Sequence, residues 1–149
     1  MPAPPPLAQS PRSALADAVV TALNAQASTW GYEYTAVRRP LPILDPAELS
    51  GLEVYVIPGE REQTTSEADR GEIKLTVIVE QILPSTPDGI KATFDALDSL
   101  TTAIADYFRN AYQDTDWWCE KTTEDYDKAA LFTWQEYYGY IELTFVQQH

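Results

Sequence analysis

The side chains of this sequence that could act as nucleophiles, bases or metal ligands are few, and they are poorly placed for such work. The one histidine, His149, is the last residue, and a chain terminus is a poor mount for a general base or a metal ligand. The one cysteine, Cys119, stands beside Glu120 and two tryptophans. Acidic neighbours raise a thiol pKa rather than lower it, and with no histidine nearby no Cys–His pair can form. Asp114-Thr115-Asp116 opens like a calcium loop, but Trp118 falls where the third ligand belongs and Cys119 where the turn glycine belongs. A small hydrolase holding a metal on Asp114, Asp116 and Glu120 is the enzymatic alternative; it lacks a histidine or lysine to assist. Pro58-Gly59-Glu60 has neither the glycine spacing nor the lysine of a phosphate loop, and the chain carries no G-x-S-x-G and no zinc spacing. The expectation is a protein with no catalytic residue, no cofactor and no metal.

What remains is chemistry of recognition. Glu60, Glu62, Glu67 and Asp69 alternate with Arg61 and Arg70 in one polar stretch. Such a cluster reads first as a solvated, internally paired tip. Its functional reading is a contact with a neighbouring subunit, where charge sets register and orientation more than affinity. The nine tyrosines and four tryptophans are the second feature. Tyr137, Tyr138 and Tyr140 crowd one segment, and Tyr and Trp are enriched at protein interfaces. Stacking on single-stranded nucleic acid also uses aromatics, but it requires a basic groove. The candidate interface residues are therefore Glu60, Arg61, Glu62, Glu67, Asp69, Arg70, Tyr138 and Tyr140.

Composition limits the partners. Ten basic against 23 acidic residues give a formal charge of −13, the wrong sign for neutralising phosphates or for an anionic membrane surface. An acidic surface can still line a passage through which DNA slides without sticking. A single cysteine excludes an internal disulfide and fits synthesis in a reducing cytosol. The opening residues lack the basic and apolar regions of a signal peptide, and no apolar run approaches the roughly 20 residues of a membrane helix.

The elements that must position these groups follow from periodicity. Residues 1–9 are a proline-rich tail, expected to be disordered, and residues 10–149 a single domain. Pro11 follows Ser10 at a helix start, and Leu15, Val19, Ala22 and Leu23 make an apolar stripe that fades near Ser28. Residues 30–39 alternate aromatic and polar side chains and read as a strand. Residues 41–51 are a connection with a helical turn near Pro46. The centre of the chain is a pair of apolar, β-branched runs, 52–57 and 73–83, which read as antiparallel strands around a long loop at 58–72. Loops longer than about 12 residues inside a compact domain are usually functional or disordered. In the second run Ile73, Leu75, Val77 and Val79 point one way, and Lys74, Thr76, Ile78, Glu80 and Ile82 the other. Residues 88–110 carry the strongest helical period, from Ile90 through Phe94, Leu97, Thr101 and Ile104 to Phe108, over roughly 30 Å. A strand at 117–122, a turn of helix capped by Asp127 and a final strand at 137–146 complete the chain. The expected fold is α+β: a mostly antiparallel sheet of four to five strands, two helices on one face, and a long protruding hairpin loop.

This succession resembles the small structural proteins of tailed bacteriophages, of the tail-terminator and neck (head–tail completion) type. Three segments carry the resemblance: LADAVVTALNA with the following YEYTAVRRPLPILDPAELSGLEVYVIPGERE, the return strand RGEIKLTVIVEQIL with the helix after it, and the closing YIELTFV. The aromatic run LFTWQEYYGY departs from the pattern. The resemblance implies a non-enzymatic virion subunit, made in the host cytoplasm. Such a subunit forms a ring, commonly a hexamer, at the head-proximal end of the tail. Its partners would be further copies of itself, the tail tube protein and the head–tail connector, with DNA passing through the lumen. A head–tail joining protein is the alternative within the same class. An adaptor presenting its proline-rich tail to a partner is a reading from another class.

Overall fold

The computed structural model describes residues 7–62 and 71–147, so most of the proline-rich tail and His149 lie outside the described residues. The elements run α1 (Pro11–Trp30), β1 (Val37–Arg38), a 3-10 turn (Pro46–Glu48), β2 (Glu53–Glu62), β3 (Glu72–Ile82), α2 (Pro87–Asn110), β4 (Trp117–Tyr126), α3 (Lys128–Trp134) and β5 (Glu136–Gln147). The five strands form one sheet in the order β1-β2-β3-β5-β4, antiparallel except for the β1–β2 pair. The fold is α+β, as the periodicity predicts.

Each helix begins where the sequence places a cap. The Ser10 side chain accepts the Ser13 N–H at 3.3 Å, and Pro11 fills the first helical position, where a missing N–H costs nothing. The Thr86 side chain accepts the Gly89 N–H at 3.2 Å ahead of α2, with Pro87 and Asp88 in the first turn. Asp127 accepts the N–H groups of Ala129 and Ala130 at 2.9 and 3.2 Å and so starts α3. α1 runs past Ser28 to Trp30, two residues beyond where the apolar stripe fades. Gly31, at φ 79°, closes it in the left-handed conformation, with its N–H on the Ala27 and Ser28 carbonyls. That glycine, rather than the stripe, marks the true end.

The extended segment 30–39 is a correction. Only Val37 and Arg38 form a strand, because the residues before them serve the helix instead. Asn24 on α1 accepts the Ala36 N–H at 2.7 Å and donates to the Ala36 carbonyl at 3.1 Å, taking the place of a ladder partner. The Tyr34 hydroxyl donates to the Leu23 carbonyl at 2.7 Å. The central strands are also longer than their apolar runs: β2 continues through Pro58 and Gly59 to Glu62 across an irregular register between Pro58 and Arg61. The expected loop at 58–72 is therefore strand at both ends, and residues 63–70 lie outside the described residues. β4 extends to Tyr126, four residues past the expected strand end, with a register shift between Cys119 and Lys121 that a β-bulge accounts for.

The main core lies between the helices and one sheet face. α1 packs on β1 and β2, and α2 on β4 and β5. Leu15, Val19 and Leu23 of α1 and Leu97, Leu100, Ile104 and Phe108 of α2 meet Val54, Val56, Leu75, Val77, Ile141, Leu143 and Phe145 of the strands. The opposite face carries a smaller cluster of Ile43, Tyr55 and Ile78, flanked by Leu49, Ile57, Tyr138 and Tyr140. This second layer follows from topology. A parallel β1–β2 pair requires the chain to return to the same end of the sheet, and the returning segment sets Ile43 and Leu49 on the face that the helices leave open.

Candidate assembly interface

The predicted interface residues fall at two ends of the sheet. Glu60 and Arg61 lie near the end of β2, and both are exposed. Glu62 ends that strand opposite Glu72. Glu67, Asp69 and Arg70 lie outside the described residues. Tyr138 and Tyr140 pair with Glu80 and Ile78 on the face turned from the helices. Eight ladder positions along β3 separate Glu72 from Glu80, about 26 Å at the rise of a strand. The charged and aromatic groups are thus two surfaces rather than one.

At the charged end, Arg61 borders an open recess of about 400 Å³ together with Pro11, Leu15, Asp114, Asp116 and Trp117. The fold brings the Asp114–Asp116 pair to Arg61, a juxtaposition that linear spacing does not show. Asp114 nevertheless holds the backbone in shape. Its Oδ1 accepts the backbone N–H groups of Asp116 at 2.9 Å and Trp117 at 3.1 Å, forming the turn that enters β4. Among the described residues no three His, Cys, Asp or Glu side chains are grouped to hold a metal ion. Cys119 is buried, and burial pushes its thiol up to about 11.

At the aromatic end the tyrosines divide by face. Tyr137 points into the helix-side core, where its hydroxyl lies 2.9 Å from the Thr101 hydroxyl and its ring meets Phe94 edge-on at 5.4 Å. Tyr138 and Tyr140 are half-buried against the second cluster. Beside them is a group that the strand alternation places on the outer face without assigning it a role. Glu80 is fully buried, and Glu136, two positions from Tyr138 on β5, is 6% exposed. The Tyr55 hydroxyl donates to Glu80 Oε1 and accepts the Ile43 N–H at 3.0 Å. Glu80 Oε2 is buried with no hydrogen-bond partner among the described residues, and the Glu136 carboxyl is its acidic neighbour. Burial raises both acids, and burial together with the second carboxyl beside it holds Glu80 at about 8. Two adjoining buried carboxyls cannot both be ionised cheaply, so they hold one proton between them. The signal was present in the sequence: Glu80 is the lone charged residue in the run LTVIVEQIL. Because Glu80 has no exposed surface, the pair is not presented to a substrate.

Several large apolar side chains remain in solvent. Phe132 is 93% exposed and Trp134 60%, both on α3, while Leu44 in the 41–51 connection is 83% exposed. Among the described residues no helix is long and apolar enough to cross a membrane.

No family model and no curated protein sequence matches this chain. Its fold is similar to that of a chain in the virion of the native gene transfer agent particle, with a TM-score of 0.50 and 18% identity over 94% of this chain and all of the other. A second solved chain aligns at a TM-score of 0.47 with 14% identity, over 93% of this chain and 94% of its own.

Proposed function

We propose that this protein is a structural subunit of a phage-like particle, without catalytic activity, that forms a ring at the head-proximal end of the tail. There it caps the tail tube and joins it to the neck. The observation that carries this reading is the end-to-end similarity in fold to a chain of the gene transfer agent virion. The surface supports it. Phe132 and Trp134 at one end and Leu44 on the rear segment are apolar groups that a ring would cover. The charged strand end at Glu60 and Arg61 would set subunit orientation. A ring closes when copies join through two different patches related by a rotation. A subunit that matches the tube on one side and does not repeat that surface on the other stops further growth. The partners on this reading are further copies of the chain, in a hexamer by the phage-family pattern, together with the tail tube protein and the connector. The acidic surplus of 23 carboxylates over 10 basic groups would let DNA pass the lumen without binding.

The test is electron microscopy of particles assembled without this gene. Tubes of uncontrolled length identify a terminator. Tails of normal length beside filled, unjoined heads identify a joining protein of the neck. Intact, infectious particles refute both.

A further inference from the structure

We propose that residues 40–51 are a strap latched to the rear face of the sheet by the proton that Glu80 and Glu136 share, and that loss of this proton releases the strap. The inference does not depend on the virion reading. The latch is a continuous relay: the Ile43 N–H donates to the Tyr55 hydroxyl, Tyr55 donates to Glu80, and Glu80 abuts Glu136. It therefore ties the strap's backbone to β2, β3 and β5 in turn. Beyond it the strap is held by Arg39, which donates to the Leu41 carbonyl at 3.3 Å, by Ser50, which donates to Glu53 at 3.4 Å, and by the half-buried Pro42 and Pro46. Ile43 is its one buried apolar side chain and Leu49 is half-buried, while Leu41 and Leu44 are 66% and 83% exposed. The 3-10 turn at its centre is held by its own Asp45, whose Oδ1 accepts the Ala47 N–H at 2.9 Å. Its prolines, Pro40, Pro42 and Pro46, offer no N–H to the sheet.

The surroundings determine which way the latch responds. From β2, Glu53 stands directly opposite Glu80 in the ladder, and Tyr55 lies against it. From β5 come Glu136 and Tyr138. Asp127, ahead of α3, adds negative potential at Glu136 and Tyr138. Among the described residues, the cation facing the group is Arg39 at the strap's entrance, with its guanidinium 5.5 Å from the Tyr55 ring centre. One cation against this many acids cannot stabilise a second buried carboxylate. When the shared proton leaves to solvent, the two carboxylates repel, and hydrating them requires the strap to lift. Lifting it uncovers Tyr55, Ile78, Tyr138 and Tyr140, a tyrosine-rich sheet face.

Hydrogen exchange measured by mass spectrometry on the full-length protein tests this, at about pH 6 and about pH 9 with intrinsic rates corrected for pH. In the wild type, protection of peptides spanning residues 39–52 is expected to fall at least about tenfold between the two conditions, with β3 and β5 remaining far better protected than the strap at both; tenfold is the population change produced by one pH unit of proton linkage. In Glu80→Gln the amide can accept from Tyr55 and donate to Glu136, so the strap should stay protected at both. Should that variant fail to fold, Glu136→Gln removes the second carboxyl while leaving Glu80 buried, so the pH-dependent fall should be smaller than in the wild type. Strap protection that does not change with pH in the wild type, or that changes equally in a folded Gln variant, would overturn the proposal.

Discussion

Gly139 offers a sharp test of how the core is assembled. It sits on β5 between Tyr137 and Ile141, on the face that meets α2. A Cβ built there would lie 2.6 Å from Tyr137 Cε1, 2.9 Å from the Tyr137 hydroxyl and 3.0 Å from Thr101 Oγ1. All three are closer than ordinary Cβ contacts allow. The ring cannot simply turn away. Tyr137 is 1% exposed, with Phe94 edge-on at 5.4 Å on one side and Tyr126 stacked at 6.2 Å on another. Its hydroxyl is held 2.9 Å from Thr101, whose own hydroxyl donates to the Leu97 carbonyl at 2.8 Å. Gly139→Ala must therefore displace a packed ring, at about 1–3 kcal/mol for overpacking, and weaken a buried hydrogen bond worth about 1 kcal/mol. Against this stands a gain of about 0.5–1 kcal/mol from replacing glycine in a strand. The net expectation is a loss of roughly 1–3 kcal/mol, or a melting point lower by about 2–12 °C for a domain of this size. Urea unfolding monitored by tryptophan fluorescence measures it. The double variant with Tyr137→Leu should recover part of the loss, since the two sites are in contact and their effects should not add. An alanine variant as stable as the wild type would show that the Tyr137 ring is not wedged against β5 as described.

Three further outcomes follow from individual contacts. The folded-state pKa of Glu80 lies above its ordinary value of 4.5, at about 8. Its proton therefore stabilises the fold fully below about pH 4.5, and that contribution is lost as pH rises through about 8. The unfolding free energy of the wild type, measured by urea titration, should drop across that window by an amount on the order of a few kcal/mol, while that of Glu80→Gln drops by clearly less; parallel curves would count against the shared proton. Asp127→Ala removes the acceptor of two backbone N–H groups at the start of α3 and should cost about 1 kcal/mol, seen as faster amide exchange at Ala129 and Ala130. Phe132→Ser and Trp134→Ser should change monomer stability by no more than about 0.5 kcal/mol, since the side chains are 93% and 60% exposed. The same variants should reduce assembled particles in a complementation assay, and particle yields equal to wild type would remove α3 from the interface.

Much of the fold was legible where a single local rule acts. The apolar period of α2, the caps at Ser10 and Asp127, and the inward set Ile73, Leu75, Val77 and Val79 follow from residue type and spacing, because helix and strand geometry put those side chains on one side whatever they pack against. The errors lie where a distant partner competes. Residues 32–36 read as strand from their alternating aromatics, yet Asn24 and Leu23 of α1 take up Ala36 and Tyr34 instead. The 58–72 connection read as loop, yet pairing with β3 extends β2 through Pro58 and Gly59, since an edge position tolerates a proline without its N–H.

The site divides in the same way. Composition alone set the sign of the surface, the scarcity of catalytic side chains and the aromatic wealth of the last strand, for these need only counting. Which tyrosines are core and which face outward was decided by the β5 register, which sends Tyr137 to Thr101 and Phe94 and its neighbours Tyr138 and Tyr140 to the other side. The meeting of Arg61 with Asp114 and Asp116, and of Glu80 with Glu136, spans more than fifty residues of sequence in each case. Neither can be read from spacing. A carboxyl becomes a proton-holding latch only when folding removes its water and sets a second carboxyl beside it, and burial and proximity are properties of tertiary structure.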